Sequence, residues 1–305
     1  MKNARKAKRI EIDVPKPFAF DQTVVSHGWY LLPPFRWDAG ASVLHRVERL
    51  GSKAVSLRIR FASRLIVEAE SDLSKWADQL EERVRRMFQL RVDLSDFIEL
   101  CRASPHHQHI RAETCGRLLC GATRFEDVVK IIATTNTTWR QTVRMMNLLA
   151  SSLGKRESSG HYAFPEPTRI AAAPIELLQE CKLGYRAGTI QAVARGIVER
   201  SIDLDKLADP SQTTVEMIRS FQQLPGIGPY GAAHLAAMEG RFDFIAVDTE
   251  FRRFVRARYH RGRNVSDETL QRRYRKWGQW KYLAYWSELW NELSPDTVEP
   301  GQLRD

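Results

Sequence analysis

The chain has 305 residues, 43% of them hydrophobic and 28% charged, which excludes a disordered or fibrous protein and allows two compact domains or one large one. Its 47 Lys and Arg exceed its 37 Asp and Glu, leaving a net charge of +10. That excess argues against an enzyme of small neutral metabolites and for a polyanionic partner, nucleic acid or an acidic membrane surface; solvated surface charge is the plainer alternative.

Residues 1–16 read as a flexible basic tail. No apolar stretch follows it, so no secretory signal is expected. No run approaches the ~18 apolar residues of a membrane span. Residues 18–72 alternate apolar and polar, as in Val43-Leu44-His45-Arg46-Val47 and Ala54-Val55-Ser56-Leu57-Arg58-Ile59-Arg60. Gly51-Ser52-Lys53 supplies a turn and Leu65-Ile66-Val67-Glu68-Ala69 a further strand, so an antiparallel meander with one buried face is predicted. From Leu73 the period becomes helical: Leu73, Trp76, Leu80, Val84 and Met87 recur at three- and four-residue spacing. Residues 127–153, 175–181 and 187–198 read as further helices, with Pro165, Pro167 and Pro174 marking a loop. The predicted fold is mainly α, with an N-terminal antiparallel α+β domain at 17–95, a helical core at 96–295 and a C-terminal tail at 296–305.

The four cysteines, Cys101, Cys115, Cys120 and Cys181, are too scattered for a disulfide framework and point to a reducing cytoplasm. Cys115 and Cys120 lack a second close pair, so buried inert thiols are expected rather than a metal site. His106, His107 and His109 read as a polar loop, with metal binding as the alternative.

Thr213-x-x-Glu216 is a capping box opening a helix with Met217, Ile218, Phe221 and Leu224 on its apolar face. The helix stops at Leu224-Pro225-Gly226-Ile227-Gly228, and Pro229 suits the first turn of a second helix. Gly231, Ala232, Ala233 and Ala236 let that helix approach a neighbour closely. Ile227 can turn inward while the Gly226 and Gly228 amides face outward, forming an anion site suited to a DNA phosphate. A bare αα-hairpin with a glycine turn is the structural alternative.

This string resembles the helix-hairpin-helix motif of the base-excision DNA glycosylases that include endonuclease III. In that superfamily a catalytic Asp follows the hairpin; here Phe244-Ile245-Ala246-Val247-Asp248-Thr249 places Asp248 about twenty residues on. The resemblance continues upstream toward the 8-oxoguanine DNA glycosylases, while the aromatic Tyr230 after the hairpin is similar to the 3-methyladenine glycosylase II group. Phe35-Arg36-Trp37 is similar to the N-terminal signature of the former, and residues 87–94 resemble the linker into the helical core. Residues 134–139, with Asn136 at the wedge position, resemble a duplex-inserting loop. Leu183-Gly184-Tyr185-Arg186-Ala187 resembles a second probing loop, and residues 277–286 resemble the last helix, which lines the base pocket. Resemblance covers roughly residues 17 to 295.

It implies a glycosylase that flips a damaged base from duplex DNA and breaks its N-glycosidic bond. Asp248 would stabilise the positive charge that builds on the sugar. Asp248 also reads as the N-cap of a following helix, and the two roles are compatible. Gly226, Ile227, Gly228 and Tyr230 would meet the DNA phosphate. Asn136, Tyr185 and Arg186 would probe the duplex, although Asn136 also reads as a plain loop or capping residue. Aromatic candidates for the base pocket are Trp29, Trp37, Trp139, Tyr230, Trp280 and Tyr282.

Four departures shape the expectation. Bifunctional relatives carry at position 230 a Lys that forms a Schiff base; Tyr230 cannot, so no strand cleavage is expected. No cysteine lies beyond Cys181, so the four-cysteine iron–sulfur cluster of endonuclease III is absent. The glycine whose carbonyl recognises 8-oxoguanine is replaced by Leu32. Arg186 matches one estranged-base reader, whereas its partner aligns with Gln141 beside Arg140. Alkylated purines are therefore the expected substrate, with 8-oxoguanine or another oxidised base as the alternative, and a non-catalytic DNA-binding protein as a third reading. No cofactor is expected; a monovalent cation at the hairpin stays open. The expected partner is double-stranded DNA with a damaged base, bound by a monomer in the cytoplasm at the nucleoid, or in a nucleus, and no membrane is involved.

The basic excess has a place. Residues 248–281 hold eleven Lys and Arg against four acids, a net +7, and residues 1–9 hold five bases and no acid. The rest of the chain is slightly acidic, so the charge marks a tail and the stretch following Asp248.

Overall fold

The computed structural model describes residues 8–103 and 117–292. Residues 1–7 of the tail, His106, His107, His109, Cys115 and the C-terminal tail at 296–305 lie outside the described residues. Contacts divide the described chain into two compact units, one of residues 8–91 and 117–203, the other of residues 92–103 and 204–292. The division departs from the expected boundary after residue 95, because the helices between Arg124 and Val198 cluster with the sheet.

The first unit carries a five-stranded antiparallel sheet. Its strands are β1 (Lys8–Ile12), β2 (Phe35–Asp38), β3 (Val43–Leu50), β4 (Lys53–Phe61) and β5 (Leu65–Ala69), in the order β1-β5-β4-β3-β2. Val55, Leu57 and Ile59 of β4 are buried while Ser56 and Arg58 are exposed, as the alternation predicts. Leu50 pairs with Lys53, so the turn is Gly51-Ser52, and Gly51 takes the positive φ of 60° that such a short connection requires. β1 corrects the expectation of a wholly flexible tail. Ile12 is buried and pairs with Leu65, and Arg9 lies opposite Glu68. The period-2 pattern of Arg9-Ile10-Glu11-Ile12 is short and lies beside the tail's positive charge, which dominates a composition-based reading.

Charge is buried where β3 meets the helix Arg124–Thr134. Thr123 caps that helix by accepting from the Glu126 amide at 3.2 Å. Glu126 accepts from Arg46 at 2.6 Å and from Lys130 Nζ at 2.7 Å, with all three side chains almost fully enclosed. Arg46 also bonds Glu48 at 3.0 Å, and its guanidinium lies 4.6 Å from the centre of the Phe35 ring. Asp127 accepts from Trp29 Nε1 at 2.8 Å, from the Gly121 amide at 2.7 Å and from Arg86 at 2.6 Å. Trp29 is therefore a core residue, not a pocket wall. Burial alone would raise the Glu126 carboxyl, but the charges of Arg46 and Lys130 outweigh it and hold the group at about 2. Lys130 itself is lowered, because burial and the nearby Arg46 charge exceed the pull of Glu126.

The second unit is helical around an aromatic core. Phe97 of the helix Ser95–Ala103 meets Trp277 and Trp280, with ring centres 5.7 and 5.8 Å away. Phe242 packs on the other side against Trp280 and Tyr282. Phe251, Tyr274 and Tyr285 form a second cluster, where the Tyr274 hydroxyl donates to buried Glu288 at 2.6 Å. Cys101, Cys120 and Cys181 are buried. No helix among the described residues is long and apolar enough to cross a membrane.

Removing Glu126 takes the ion-pair partner from buried Lys130 and leaves buried Arg46 with Glu48 alone. Glu126→Ala should lower folding stability by about 3–5 kcal/mol in urea unfolding. Because the folded carboxyl sits below its ordinary value of 4.5, its contribution is present above pH 4.5 and is lost as pH falls toward 2. The acid-unfolding limb of the wild type should therefore flatten in this variant.

Candidate active site and nucleic-acid interface

The hairpin of the second unit forms as its residues dictate. The helix Thr214–Phe221 opens on a complete capping box, with Glu216 accepting from the Thr213 amide at 2.8 Å and Thr213 Oγ1 accepting from the Glu216 amide at 3.3 Å. The turn that follows holds Gly226 at a φ of 75° and closes with the Ile227 amide donating to the Leu224 carbonyl. Ile227 is buried while Gly226 and Gly228 are exposed. Gly228 then caps the helix Pro229–Met238, whose first-turn amides lack partners within the helix. A Cβ at Gly228 would meet no protein atom within 4 Å, so the glycine leaves the approach to those amides open. The geometry is that of an anion site at the positive end of a helix.

Asp248 caps the helix Thr249–His260, one carboxylate oxygen accepting from the Phe251 amide at 2.7 Å. It is half-buried. Burial raises its carboxyl above the ordinary value and the nearby Glu250 adds to this, while the Phe251 amide pulls it back down. Three tyrosine hydroxyls feel its charge. Tyr230, Tyr282 and Tyr285 are all pushed above their ordinary value, by burial first and by Asp248 in addition. Tyr230 exposes 43% of its surface, yet burial around its hydroxyl still pushes the group above its ordinary value. All three therefore stay protonated and uncharged.

An aromatic cluster continues from Tyr230. Its ring stacks on His234, one helical turn later, at 6.0 Å. The Tyr282 hydroxyl lies 3.0 Å from His234 Nδ1, and the Tyr282 ring stacks on Trp286 at 5.6 Å and 9°. Burial lowers the imidazole to about 4, so His234 is neutral near pH 7. Sequence reasoning missed His234 and Tyr285. The spacing of Tyr230 and His234, four apart on a predicted helix, was the available signal for the former. Trp280, expected in the pocket, is buried between Phe97 and Phe242 in the core.

The first unit brings Asn136, Tyr185 and Arg186 together. Asn136 sits exposed at a φ of 46° after the helix Arg124–Thr134. It is not the cap of the next helix, Trp139–Leu153; Thr138 is, in a capping box with Gln141. Tyr185 is 65% exposed, with its hydroxyl 3.4 Å from Asn136 Nδ2. Arg186 is buried, its guanidinium 4.5 Å from the Tyr185 ring centre. It donates to the carbonyls of Thr135, Asn136 and Leu183. Its donors are thus spent on holding the Asn136 loop. Trp37 rests edge-on against Phe20, and Trp139 lies against Gly28, where a Cβ would stand 2.3 Å from its ring. Among the described residues no group of three or more His, Cys, Asp or Glu is placed to hold a metal.

The second unit thus carries a glycine-turned hairpin, an open helix N-terminus and a half-buried carboxylate twenty residues on. The family model for HhH-GPD superfamily base excision DNA repair proteins matches residues 129–279, and that stretch of the chain belongs to the superfamily. Among solved structures it is similar to a 3-methyladenine DNA glycosylase from Archaeoglobus fulgidus, at 21% identity and a TM-score of 0.73, covering 93% of this chain and 98% of that one. It is also similar to an 8-oxoguanine glycosylase/lyase from Clostridium acetobutylicum in its apo form, at 16% identity and a TM-score of 0.70, covering 93% and 97%. The same Clostridium enzyme bound to double-stranded DNA gives a TM-score of 0.69 at 16% identity, covering 92% and 96%. No curated protein sequence matches.

The cap and the charge at position 248 are separable. Asn caps a helix about as well as Asp, so Asp248→Asn should leave the urea midpoint close to wild type, whereas Asp248→Ala should cost about 1 kcal/mol.

Proposed function

We propose that the chain is a monofunctional DNA glycosylase that removes alkylated purines from duplex DNA, with Asp248 as its catalytic carboxylate. The observation that carries this reading is Tyr230, an uncharged hydroxyl beside Asp248 where an imine-forming amine would have to stand. Water is then the nucleophile, and the product is an abasic site. Asp248 stabilises the positive charge that develops on the sugar, in surroundings where its own charge is poorly screened. An alkylated purine is already electron-poor, so it leaves with little acid assistance and stacks well on neutral aromatic rings. Tyr230, His234, Tyr282 and Trp286 supply such rings. Leu32 supports the substrate choice: it is buried, and its carbonyl already accepts from the Phe35 amide at 3.0 Å.

Asn136 is the wedge in this reading, with Tyr185 beside it and Arg186 bracing the loop that carries it. The phosphate backbone meets the Gly226–Gly228 turn and the basic stretch after Asp248. Within that stretch Arg252 pairs with Asp267, Arg253 with Glu250 and Arg272 with Glu268. The exposed Arg261 and Arg263 lie beyond the far end of the Asp248 helix, about 18 Å along its axis.

A panel of duplexes with single lesions, developed with and without alkali, tests the proposal. Base release from 3-methyladenine or 7-methylguanine duplexes is expected, with strand breaks only after alkali and no borohydride-trapped adduct. Strand breaks without alkali, or release confined to 8-oxoguanine, would overturn it. Duplex affinity should fall by about 10³-fold between 50 and 200 mM salt if some six phosphates are neutralised. The double variant Arg261→Ala/Arg263→Ala should reduce the slope of log affinity against log salt by about two.

A further inference from the structure

A basic feature that this chemistry leaves unused lies on the sheet of the first unit. A groove of about 1050 Å³ is lined by β2 to β5, by the hairpin at 156–162 and by Asn147, Leu148 and Ser151 of the helix Trp139–Leu153. The strand register sets Arg36 opposite His45, and His45 opposite Arg58. Residues directly opposite project from the same face, so three basic side chains stand in a row across β2, β3 and β4. Like charges in that relation repel each other. His161 on the hairpin adds a fourth basic group to the lining.

None of the acids nearby makes a hydrogen bond or ion pair to Arg36 or Arg58 among the described residues. Glu68, opposite Arg58, bonds Arg60 at 3.1 Å instead. Glu157 accepts from Ser56 at 2.9 Å and from the Ser159 amide at 2.8 Å. Glu70 also lines the groove, and Asp38 lies near enough to raise His45. Neither Arg36 nor Arg58 makes a side-chain hydrogen bond or ion pair among the described residues. Outside the two basic stretches the chain is slightly acidic, so two arginines on one sheet face without an ion-pair partner are not general basicity.

We propose that this groove binds an organic diphosphate of nucleotide size, its phosphates held by Arg36, His45 and Arg58 and its organic part against Pro33, Pro34 and Tyr162. Neighbouring strands are about 4.8 Å apart, so the row spans about 10 Å, the reach of a diphosphate rather than of one carboxylate. Guanidinium forks match phosphate oxygens. The volume is that of a small-ligand pocket, too confined for a double helix. Burial, then Arg36 and Arg58, then His161 lower the His45 imidazole, and Asp38 opposes them. A bound dianion offsets the arginines and favours the imidazolium, so binding takes up a proton.

Calorimetric titration of the full chain with ADP, inorganic pyrophosphate and adenosine, at matched ionic strength and at pH 6 and 8, tests this. ADP should bind, with several-fold higher affinity at pH 6; pyrophosphate should bind more weakly and adenosine not at all. Arg58→Gln and the double variant Arg36→Ala/Arg58→Ala should each weaken ADP at least tenfold, and His45→Gln should abolish the pH dependence, all three with base release unchanged. No ADP binding at millimolar concentration, or binding undiminished in both arginine variants, would overturn the assignment. So would displacement of ADP by undamaged duplex, which would give the groove to the DNA backbone.

Discussion

A carboxylate kept half out of water among protonated tyrosines is the constraint on which the second unit turns. Asp248 gains one strong donor, the Phe251 amide, and the positive end of the helix Thr249–His260. Against that stand its burial and the like charge of Glu250. Tyr230, Tyr282 and Tyr285 stay protonated, and His234 stays uncharged. Arg252, the nearest basic residue in sequence, is turned to Asp267. In the free protein Asp248 is therefore offset only weakly, by Arg252, and under the proposed function a sugar developing positive charge would complete the balance. The same helix end that makes Asp248 a cap makes it available, because an N-cap side chain lies outside the first turn.

The first unit solves a related problem in the opposite way. Glu126 and Asp127 are fully buried and fully partnered, by Arg46, Lys130, Arg86, Trp29 and backbone amides. These bonds tie β3 to the start of the helix that ends just before Asn136. At the other end of that helix Arg186 binds the Thr135 and Asn136 carbonyls. An exposed residue at positive φ is thus braced by a buried arginine, which makes Arg186 a positioning residue for the loop.

Much of this is legible in the sequence, for local reasons. The capping box at Thr213, the glycine turn and the alternation in β4 depend on residues a few positions apart, so spacing reveals them. Asp248 is legible as a helix cap, because Asp248-Thr249-Glu250 stands directly before an apolar run. What stays hidden depends on tertiary contact. Arg46 reads as a polar position on a strand, and only Glu126, eighty residues later, shows that it is buried. Arg186 reads as a residue that meets DNA until its carbonyl partners are known. Trp29 and Trp280 read as pocket aromatics because composition cannot separate a core tryptophan from a lining one. Clustering of the helices between Arg124 and Val198 with the sheet is likewise a matter of long-range packing.

The most direct measurement is single-turnover base release from a duplex containing an alkylated purine, by wild type and by Asp248→Asn, alongside duplex affinity for each. The substitution keeps the cap and removes the charge. Loss of release by a factor of about 10² or more, with affinity within about threefold of wild type, is the expected result. Release by Asp248→Asn at the wild-type rate would show that the buried carboxylate is a helix cap and nothing more.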